Sequence, residues 1–585
     1  MSVGQSGLLD NLVTQFSSAL DCFRELVQNS IDAGTPGVEV WAEFERGEGH
    51  LGVISIHVDD FGEGMDEAII DNQLTCLFSS TKEDDMTKIG KFGIGFVSVF
   101  ALEPKGVLVT TGRGGQYWEI FFHEDRSFTK NTLDAPTEGT QITIFKEGNY
   151  RQYQEMVRGI HAILKRWCAH AETEVTFEDR SPPEGQWAEQ LLINEPFEIA
   201  GDCMVELDDP GLGTHIVMAY SPETFYGFYN RGLTLAQDSI GENVLDHRHR
   251  RYRHISFKIK SRYLEHTLAR ETIVRDENYE KAMVILDEVA NNLLFDKLLT
   301  TIEAIVARPE WAIDDIEEYI KLMGYLFREP KAQIERIEHR KIFRQLSGQP
   351  VSAINLLTWF RRDNELLFDD HRSGVSDTLQ AQGLPVVFGV VSHANDDTDA
   401  RLSVVARIAG QFITSHLERS TSGRGRRLWR WAFGMERTIA DDVRAMFAHP
   451  EQRYMPVIIQ TDLRPAQAAL LQSANNLLAS VNTRYKTLAA FVLEGHRDPM
   501  PLFVVAKKIS SLMREPVADE LLDAKRLDAA VNIHHPHFQV LVELYPSQPQ
   551  LAAYCLVKDI LLDQDTLLEL DLQLMTHAQK LSATA

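Results

Sequence analysis

Apolar residues recur at three- and four-residue steps through Leu9, Leu12, Val13, Phe16, Leu20, Phe23, Val27 and Ile31, and this spacing predicts a helix over residues 7–33. Gly34 and then Pro36 supply its stop. At about 100° per residue the apolar positions share one side, and Glu25, Asn29 and Asp32 fall together on the other. Most amphipathic helices show solvent such a polar edge, so by itself it carries no chemistry.

The period then changes. VEVWAEF (38–44) alternates apolar and polar residues as a half-buried strand does. After a turn containing Gly47, Gly49 and Gly52, VISIHV (53–58) reads as a second strand and runs into Asp59-Asp60-Phe61-Gly62-Glu63-Gly64-Met65. A carboxylate at a strand end, followed by two glycines, sets an acceptor beside a backbone that a flat ligand can approach closely. The same D-x-G pattern is also common in plain turns. Further on, Ile89-Gly90-Lys91-Phe92-Gly93-Ile94-Gly95-Phe96 leads into the short apolar helix VSVFAL. Glycines ahead of a helix let successive N–H groups point at an anion, and the helix N-terminus adds partial positive charge. The stretch lacks the G-K-[ST] ending of a Walker A loop. Nor is it a dinucleotide fingerprint, because the preceding Ser79–Lys88 is polar and loop-like and no βαβ pattern surrounds it. Gly139-Thr140-Gln141-Ile142-Thr143-Ile144 reads as a further strand with a hydroxyl near its start.

Composition narrows the class. At roughly 100–200 residues per domain, 585 residues make about three to five domains. Hydrophobic residues at 44% and charged residues at 25% are ordinary for a soluble globular protein. A net charge of -26 disfavours binding nucleic acid by overall charge, though not by a local groove. Cys22, Cys76, Cys168, Cys203 and Cys555 are scattered and show no C-x-x-C spacing, so neither a disulfide framework nor a zinc site is expected and a reducing compartment fits. MSVGQSGLLDNL has no basic segment followed by an apolar core, and no apolar run approaches the ~20 residues of a membrane span. The expectation is a cytoplasmic, soluble protein with no membrane contact.

Taken together, ELVQNSIDAG (25–34), DFGEGM (60–65), GKFGIGF (90–96) and GTQITIF (139–145) stand in the order and approximate spacing of a known nucleotide-binding domain. Residues 1–150 resemble that of the gyrase, heat-shock-chaperone, histidine-kinase and MutL (GHKL) ATPase superfamily. The resemblance implies an α/β (α+β) fold, with a mixed, mostly antiparallel sheet covered on one face by helices and ATP on the helical side. It also implies roles. Glu25 is the general base for the attacking water. Asn29 ligates Mg²⁺ through its amide oxygen, since a hard cation wants oxygen. Asp60 accepts from the adenine amino group, Gly62 and Gly64 let the ring approach, Met65 packs on it, and Thr140 supports both. Gly90, Lys91, Phe92, Gly93, Ile94, Gly95 and Phe96 form the phosphate-facing stretch. Asp32, with Ala33 beside it, belongs to the pocket wall. Between Met65 and Gly90 lies a lid shorter than that of the heat-shock proteins. Its Asn72 and Lys82 are candidates for ribose or phosphate contacts, and a polar surface loop explains them equally well.

Later segments resemble the heat shock protein 90 family. FYGFYNRGLTL (225–235) is similar to a middle-domain strand pair. HISFKIKSRYLEHTLARETIVRD (254–276) is similar to the region of the catalytic arginine, with Ala269-Arg270-Glu271 on the family's Ser-Arg-Glu. Arg270 would then reach the γ-phosphate, with Arg275 in reserve; a surface salt bridge is the alternative. AVNIHHPHFQVLVEL (530–544) and LAAYCLVKDILL (551–562) resemble the family's dimerisation region; Asn532-Ile533-His534-His535-Pro536 lacks its first proline.

The implied organisation is an ATP-binding domain over 1–150 and a middle domain with the arginine loop over 151–345. A small α/β to helical segment follows over 346–460, then a mostly helical dimerisation domain over 461–585. The implied function is an ATP-hydrolysing chaperone clamp, a homodimer acting on client proteins. In the intervening parts, residues 310–345 read as helical, SAINLLTWF (352–360) and LPVVFGVVS (384–392) as a small α/β unit, and 399–495 as helical with interruptions. Two basic clusters, HRHRRYRH (247–254) and RGRRLWRW (424–431), mix arginines with aromatics as nucleic-acid sites do. They leave open a MutL-like or Microrchidia-like clamp that grips nucleic acid through Arg424, Arg426 and Arg427. A protein that binds ATP as a switch without turnover is the third reading.

Overall fold

The structure, a computed structural model, describes residues 18–47, 50–75, 95–211, 213–240, 245–265, 273–389, 403–420, 446–481, 483–493, 501–506, 509, 512–514, 526–561 and 567–584. The chain divides into two compact units, Met1–Lys297 and Leu298–Ala585.

In the first unit, the alternating segments become strands of one sheet. These are β1 (Gly37–Arg46), β2 (Gly52–Asp60), β3 (Gly106–Arg113), β4 (Gln116–His123), β5 (Phe128–Leu133), β6 (Thr140–Gly148), β7 (Glu174–Asp179) and β8 (Gln190–Leu192). Their order is β5-β4-β3-β6-β2-β1-β7-β8. Every pair is antiparallel except β1 with β7. Alternation along β1 and β2 puts Val38, Val40, Ala42, Ile54, Ile56 and Val58 on one buried face. Against it lie the apolar stripes of α1 (Cys22–Asp32) and α2 (Tyr150–Cys168), with Phe23, Leu26 and Val27 of one and Tyr153, Ile160 and Leu164 of the other in a shared core. Burying these stripes is the dominant favourable term for the layer. The fold is therefore the expected mixed α/β sandwich. Within the described residues, however, the helix begins only at Cys22. Ser18 and Asp21 bond each other's backbone and wind Ala19–Asp21 into a tighter turn first.

Trp41 stands on β1 at a position whose neighbours Val40 and Ala42 face the core. His57 stacks on it at 3.4 Å and the Arg180 guanidinium lies 3.6 Å from its centroid. Burial, and then the charge of Arg180, hold the His57 imidazole down to about 4. Below the ordinary pKa of about 6.5, the unfolded chain takes up a proton that the folded chain refuses. Stability therefore falls as pH falls from about 6.5 to about 4. His57→Gln is expected to lose less stability than wild type across that window in denaturant titrations. Parallel losses would show that the ring is not the titrating group.

A second sheet in this unit holds β9 (Asp202–Asp209), β10 (Thr214–Tyr220), β11 (Tyr226–Asn230), β12 (Leu233–Asp238) and β13 (Ile255–Ser261), in the order β12-β11-β13-β10-β9. The strand pair read at 225–235 is β11 with β12. Helix α3 (Glu277–Val289), capped by Asp276, follows.

The second unit begins within the helix Phe295–Val306 and continues with α4 (Ile313–Arg328) and the short pair β14 (Phe343–Arg344) and β15 (Pro350–Val351). The expected small α/β unit is present. It comprises α5 (Ala353–Asp363), β16 (Leu366–Asp369), α6 (Gly374–Ala381), β17 (Val386–Phe388), α7 (Val404–Ser420) and β18 (Phe447–Ala448), with an all-parallel sheet in the order β17-β16-β18. The reading of 399–495 as interrupted helix needs correction. It does contain α7 and α8 (Pro465–Ala479), but also β18, β19 (Tyr454–Ile459) and β20 (Tyr485–Leu493). The β20 run buries Leu488, Ala490 and Phe491, and a short, doubly covered strand has no period to separate it from a helix. With β21 (Phe503–Ala506), β22 (Leu512–Arg514) and β23 (Leu527–Asn532) these strands form a sheet in the order β21-β23-β20-β19-β22. Helices α8, α9 (Pro536–Leu544), α10 (Pro549–Leu561) and α11 (Leu567–Thr584) share its core. Among the described residues no helix is long and apolar enough to cross a membrane.

Candidate active site

Glu25 is only 3% exposed, although the helical period alone would turn it to water. Gly95 accounts for this: a Cβ there would stand 3.1 Å from Glu25 Oε2 and 3.7 Å from Asn29 Nδ2. The last glycine of the second motif thus lies against both polar residues of α1, and a side chain in its place would crowd them. Of the polar edge of α1, Glu25 is buried against this neighbour, whereas Asn29 is half-buried and Asp32 exposed.

Asp60 ends β2 and is 7% exposed. Its Oδ1 accepts from Gly62 N at 2.9 Å and Thr140 N at 3.2 Å, and its Oδ2 accepts from Ser30 Oγ at 3.1 Å. Burial pushes the Asp60 carboxyl up, and the bonds from Gly62, Ser30 and Thr140 only partly offset it. The loop after it is pressed against neighbours on several sides. A Cβ on Gly62 would meet Ala33 O at 2.8 Å, and Ala33 O also accepts from Glu63 N at 3.0 Å. Gly64 sits at φ +66°, where a Cβ would fall 2.1 Å from Gly112 O. Thr111 Oγ1 accepts from Met65 N at 2.9 Å and lies 3.1 Å from Thr140 Oγ1. The sequence reading assigned no role to Ser30 or Thr111. Ser30 had a signal, being inside ELVQNSIDAG; Thr111 had none, because only the sheet brings it to Met65.

Other candidates divide. Met65 packs on the edge of the core, and the Phe96 ring is inside it, 5.2 Å from Phe122, so only its backbone remains beside Gly95. Asn72 is exposed and its amide donates to Ala68 O at 2.8 Å, in its own helical turn. Lys82, Gly90, Lys91, Phe92, Gly93, Ile94 and Arg270 lie outside the described residues.

Asp32 has a partner that the sequence did not indicate. Arg231 Nη1 lies 3.1 Å from its Oδ1, across 199 residues. Arg231 and Gly232 form the turn between β11 and β12 with φ of +47° and +80°, the left-handed pair that a two-residue hairpin requires. An arginine is uncommon there. The turn is seated tightly, since a Cβ on Gly232 would stand 1.6 Å from His170 O, and Glu172 N donates to Arg231 O at 3.0 Å. Asn230 Nδ2 donates to Leu264 O at 2.7 Å, and Val274 N to Glu265 O at 2.8 Å. The turn therefore joins the end of α1 to the base of the segment that carries Arg270. Gly232→Ala is expected to cost at least about 2 kcal/mol in denaturant titrations. Gly185→Ala, at φ +89° in open space, isolates the backbone part of about 1 kcal/mol. Equal losses would mean that the turn is not tightly seated.

The cluster at 247–254 is engaged within this unit. Arg248 pairs with Glu280 at 2.7 Å, Arg251 donates to Asn291 at 3.0 Å, and Tyr252 is buried with its hydroxyl 2.6 Å from Asp287. The cluster at 424–431 lies outside the described residues. The described cysteines Cys22, Cys168, Cys203 and Cys555 form no disulfide.

Residues 16–149 match the family model described as histidine kinase-, DNA gyrase B-, and HSP90-like ATPase. The chaperone protein HtpG of Bacteroides fragilis is 26% identical over 209 residues, 32% of this chain and 30% of that protein. That of Bacteroides thetaiotaomicron is 25% identical over 236 residues, 37% of this chain and 33% of that protein. The Coxiella burnetii protein of the same name is 26% identical over 179 residues, 25% of this chain and 27% of its own length. The chain thus spans, in these matches, a third or less of the relatives' length.

Proposed function

We propose, for a chain that belongs through residues 16–149 to the histidine kinase-, DNA gyrase B- and HSP90-like ATPases and is similar to HtpG chaperones, that it hydrolyses ATP with magnesium as a homodimeric chaperone clamp. The observation that carries this reading is that Gly95 lies against Glu25 and Asn29, while Ser30 of the same helix bonds the buried acceptor Asp60. The residues suit the ligand. Asp60 offers a desolvated acceptor beside a loop that only glycines let close, which fits an exocyclic amino group on a flat ring. Asn29 offers an amide oxygen of the kind a magnesium ion takes, and Glu25 beside it a carboxylate for the water.

In this reading Asn29 holds the ion through its amide oxygen, and magnesium, when bound, neutralises phosphate charge. Glu25 orients the attacking water and accepts its proton. Gly95 and the glycines before it present N–H groups to the phosphates. Arg270 adds a planar guanidinium from outside the nucleotide domain, which makes turnover depend on how the two parts dock. Dimerisation through residues 461–585 and action on client proteins rest on the likeness to HtpG alone.

The test is Mg²⁺-dependent turnover with binding assayed alongside. Arg270→Ala is expected to bind ATP as the wild type does and to turn over at least tenfold more slowly, a barrier increase of about 1.4 kcal/mol. A silent Arg270→Ala would leave the nucleotide domain standing and remove the two-part site. A stable monomer at micromolar concentration would remove the clamp, and binding without turnover would leave a nucleotide switch.

A further inference from the structure

We infer that the C-terminal edge of the β17-β16-β18 sheet in the second unit binds a divalent transition-metal ion, with Asp369, Asp370, His371 and His449 as its ligands. None of these residues belongs to the nucleotide motifs, and the inference does not depend on the function proposed above.

Topology favours the place. β16 is central and parallel to both neighbours, so the connections leaving it and β18 diverge at one edge. Open parallel sheets bind ligands at such switch points, outside the carboxyl ends of the strands. Asp369 is the last residue of β16, and His449 directly follows β18.

The donor set is built and partly desolvated. Asp369 is 0% exposed and His449 7%. Asp369 Oδ1 accepts from Asp370 N at 2.8 Å and His371 N at 3.4 Å, and faces His371 Nδ1 and His449 Nε2 at 3.3 Å each. Its Oδ2 is equally buried and has no hydrogen-bond partner among the described residues. Buried carboxylate oxygens are paired or coordinate a metal, and this one has room for a cation beside the two imidazoles at Oδ1. Ligand atoms of Asp369, Asp370 and His371 all lie within 4.8 Å of one another. His371 Nδ1 and His449 Nε2 each stand 3.3 Å from Asp369 Oδ1, about the ligand-to-ligand edge of a tetrahedron with bonds of about 2.0–2.1 Å; His449 lies outside the mutually close group of three and would have to turn in as the ion binds. His371 Nδ1 and Asp370 Oδ1, at 2.6 Å, form a hydrogen bond that the ion would open. Asp370 and His371 are exposed, which gives an entry path. Two imidazoles with two carboxylates suit zinc, cobalt or manganese better than magnesium or calcium. A search for thiolate spacing passes over this site because it uses no cysteine.

The experiment takes the full chain, strips it with chelator, and titrates Zn²⁺ and then Co²⁺. One equivalent is expected in the wild type, with the visible bands of tetrahedral cobalt. His371→Ala and His449→Ala should each weaken Zn²⁺ at least about tenfold and abolish those bands. Circular dichroism checks the fold. Should His449→Ala unfold, the exposed His371 decides alone. With 20 histidines in the chain, zinc held elsewhere is the rival: unchanged affinity in His371→Ala, or no stoichiometric binding in the wild type, overturns the site.

Discussion

Replacing Glu25 by alanine is expected to leave ATP binding near its wild-type level and to lower turnover about 10²- to 10⁴-fold, the usual contribution of a positioned proton acceptor. Glu25 is 3% exposed and its carboxylate lies against Gly95. Alanine is the best helix former, so α1 keeps its shape. What is lost is chemistry rather than fold. Glu25→Gln separates the two ways the carboxylate can act, because it keeps the volume and one acceptor but cannot take the proton. If Glu25→Gln is as slow as Glu25→Ala while binding is intact, Glu25 is the base. Steady-state turnover with binding by calorimetry reads both, and a fall of less than tenfold would remove Glu25 from the chemistry.

Asp60→Asn is expected to fold and to lose about 10- to 150-fold in ATP affinity, the worth of a hydrogen bond to a charged acceptor at 1.5–3 kcal/mol. The internal contacts explain why the fold survives. Oδ1 must stay an oxygen, because Gly62 N and Thr140 N both donate to it. The new amide nitrogen therefore takes the place of Oδ2 and donates to Ser30 Oγ, a hydroxyl that can turn to accept. Its second N–H then faces the ligand where an acceptor was needed. Burial already pushes the Asp60 carboxyl up, so the neutral side chain does not destabilise this position. Guanine nucleotide, which carries a carbonyl where adenine carries an amino group, is the discriminating probe. If ATP and GTP affinities fall together, Asp60 shapes the loop and does not read the base.

Much of the first unit was legible because its signals are local. Alternation at 38–44 and 53–58 marks strands whose one face is buried, and both β1 and β2 extend it by only a few residues. Glycines at 62 and 64 announce close backbone contact, and Ala33 O and Gly112 O are what they approach. The helical period over α1 gave the right apolar stripe but the wrong fate for Glu25, which is buried, while Asp32 on the same edge is exposed. Period reports which residues share a side, not what lies opposite, and Gly95 is 70 positions from Glu25 in the chain. In the second unit, β20 was lost within an apolar stretch for the reason that also blurs other buried strands: with both faces covered, alternation disappears.

Residue order alone determined the mixed α/β class, the motif-bearing segments and the residue types that could serve a nucleotide, since turns, amphipathic periods and glycine requirements act over a few neighbours. Tertiary structure alone decided which groups meet. Thr111 supports Met65, Arg231 holds Asp32, and His449 stands 3.3 Å from Asp369 because packed sheets bring distant segments together. It also decided the electrostatics. Burial pushes the Asp60 carboxyl up, while against its burial that of Asp369 is held down by His449 and His371, and neither setting exists until the layers have closed.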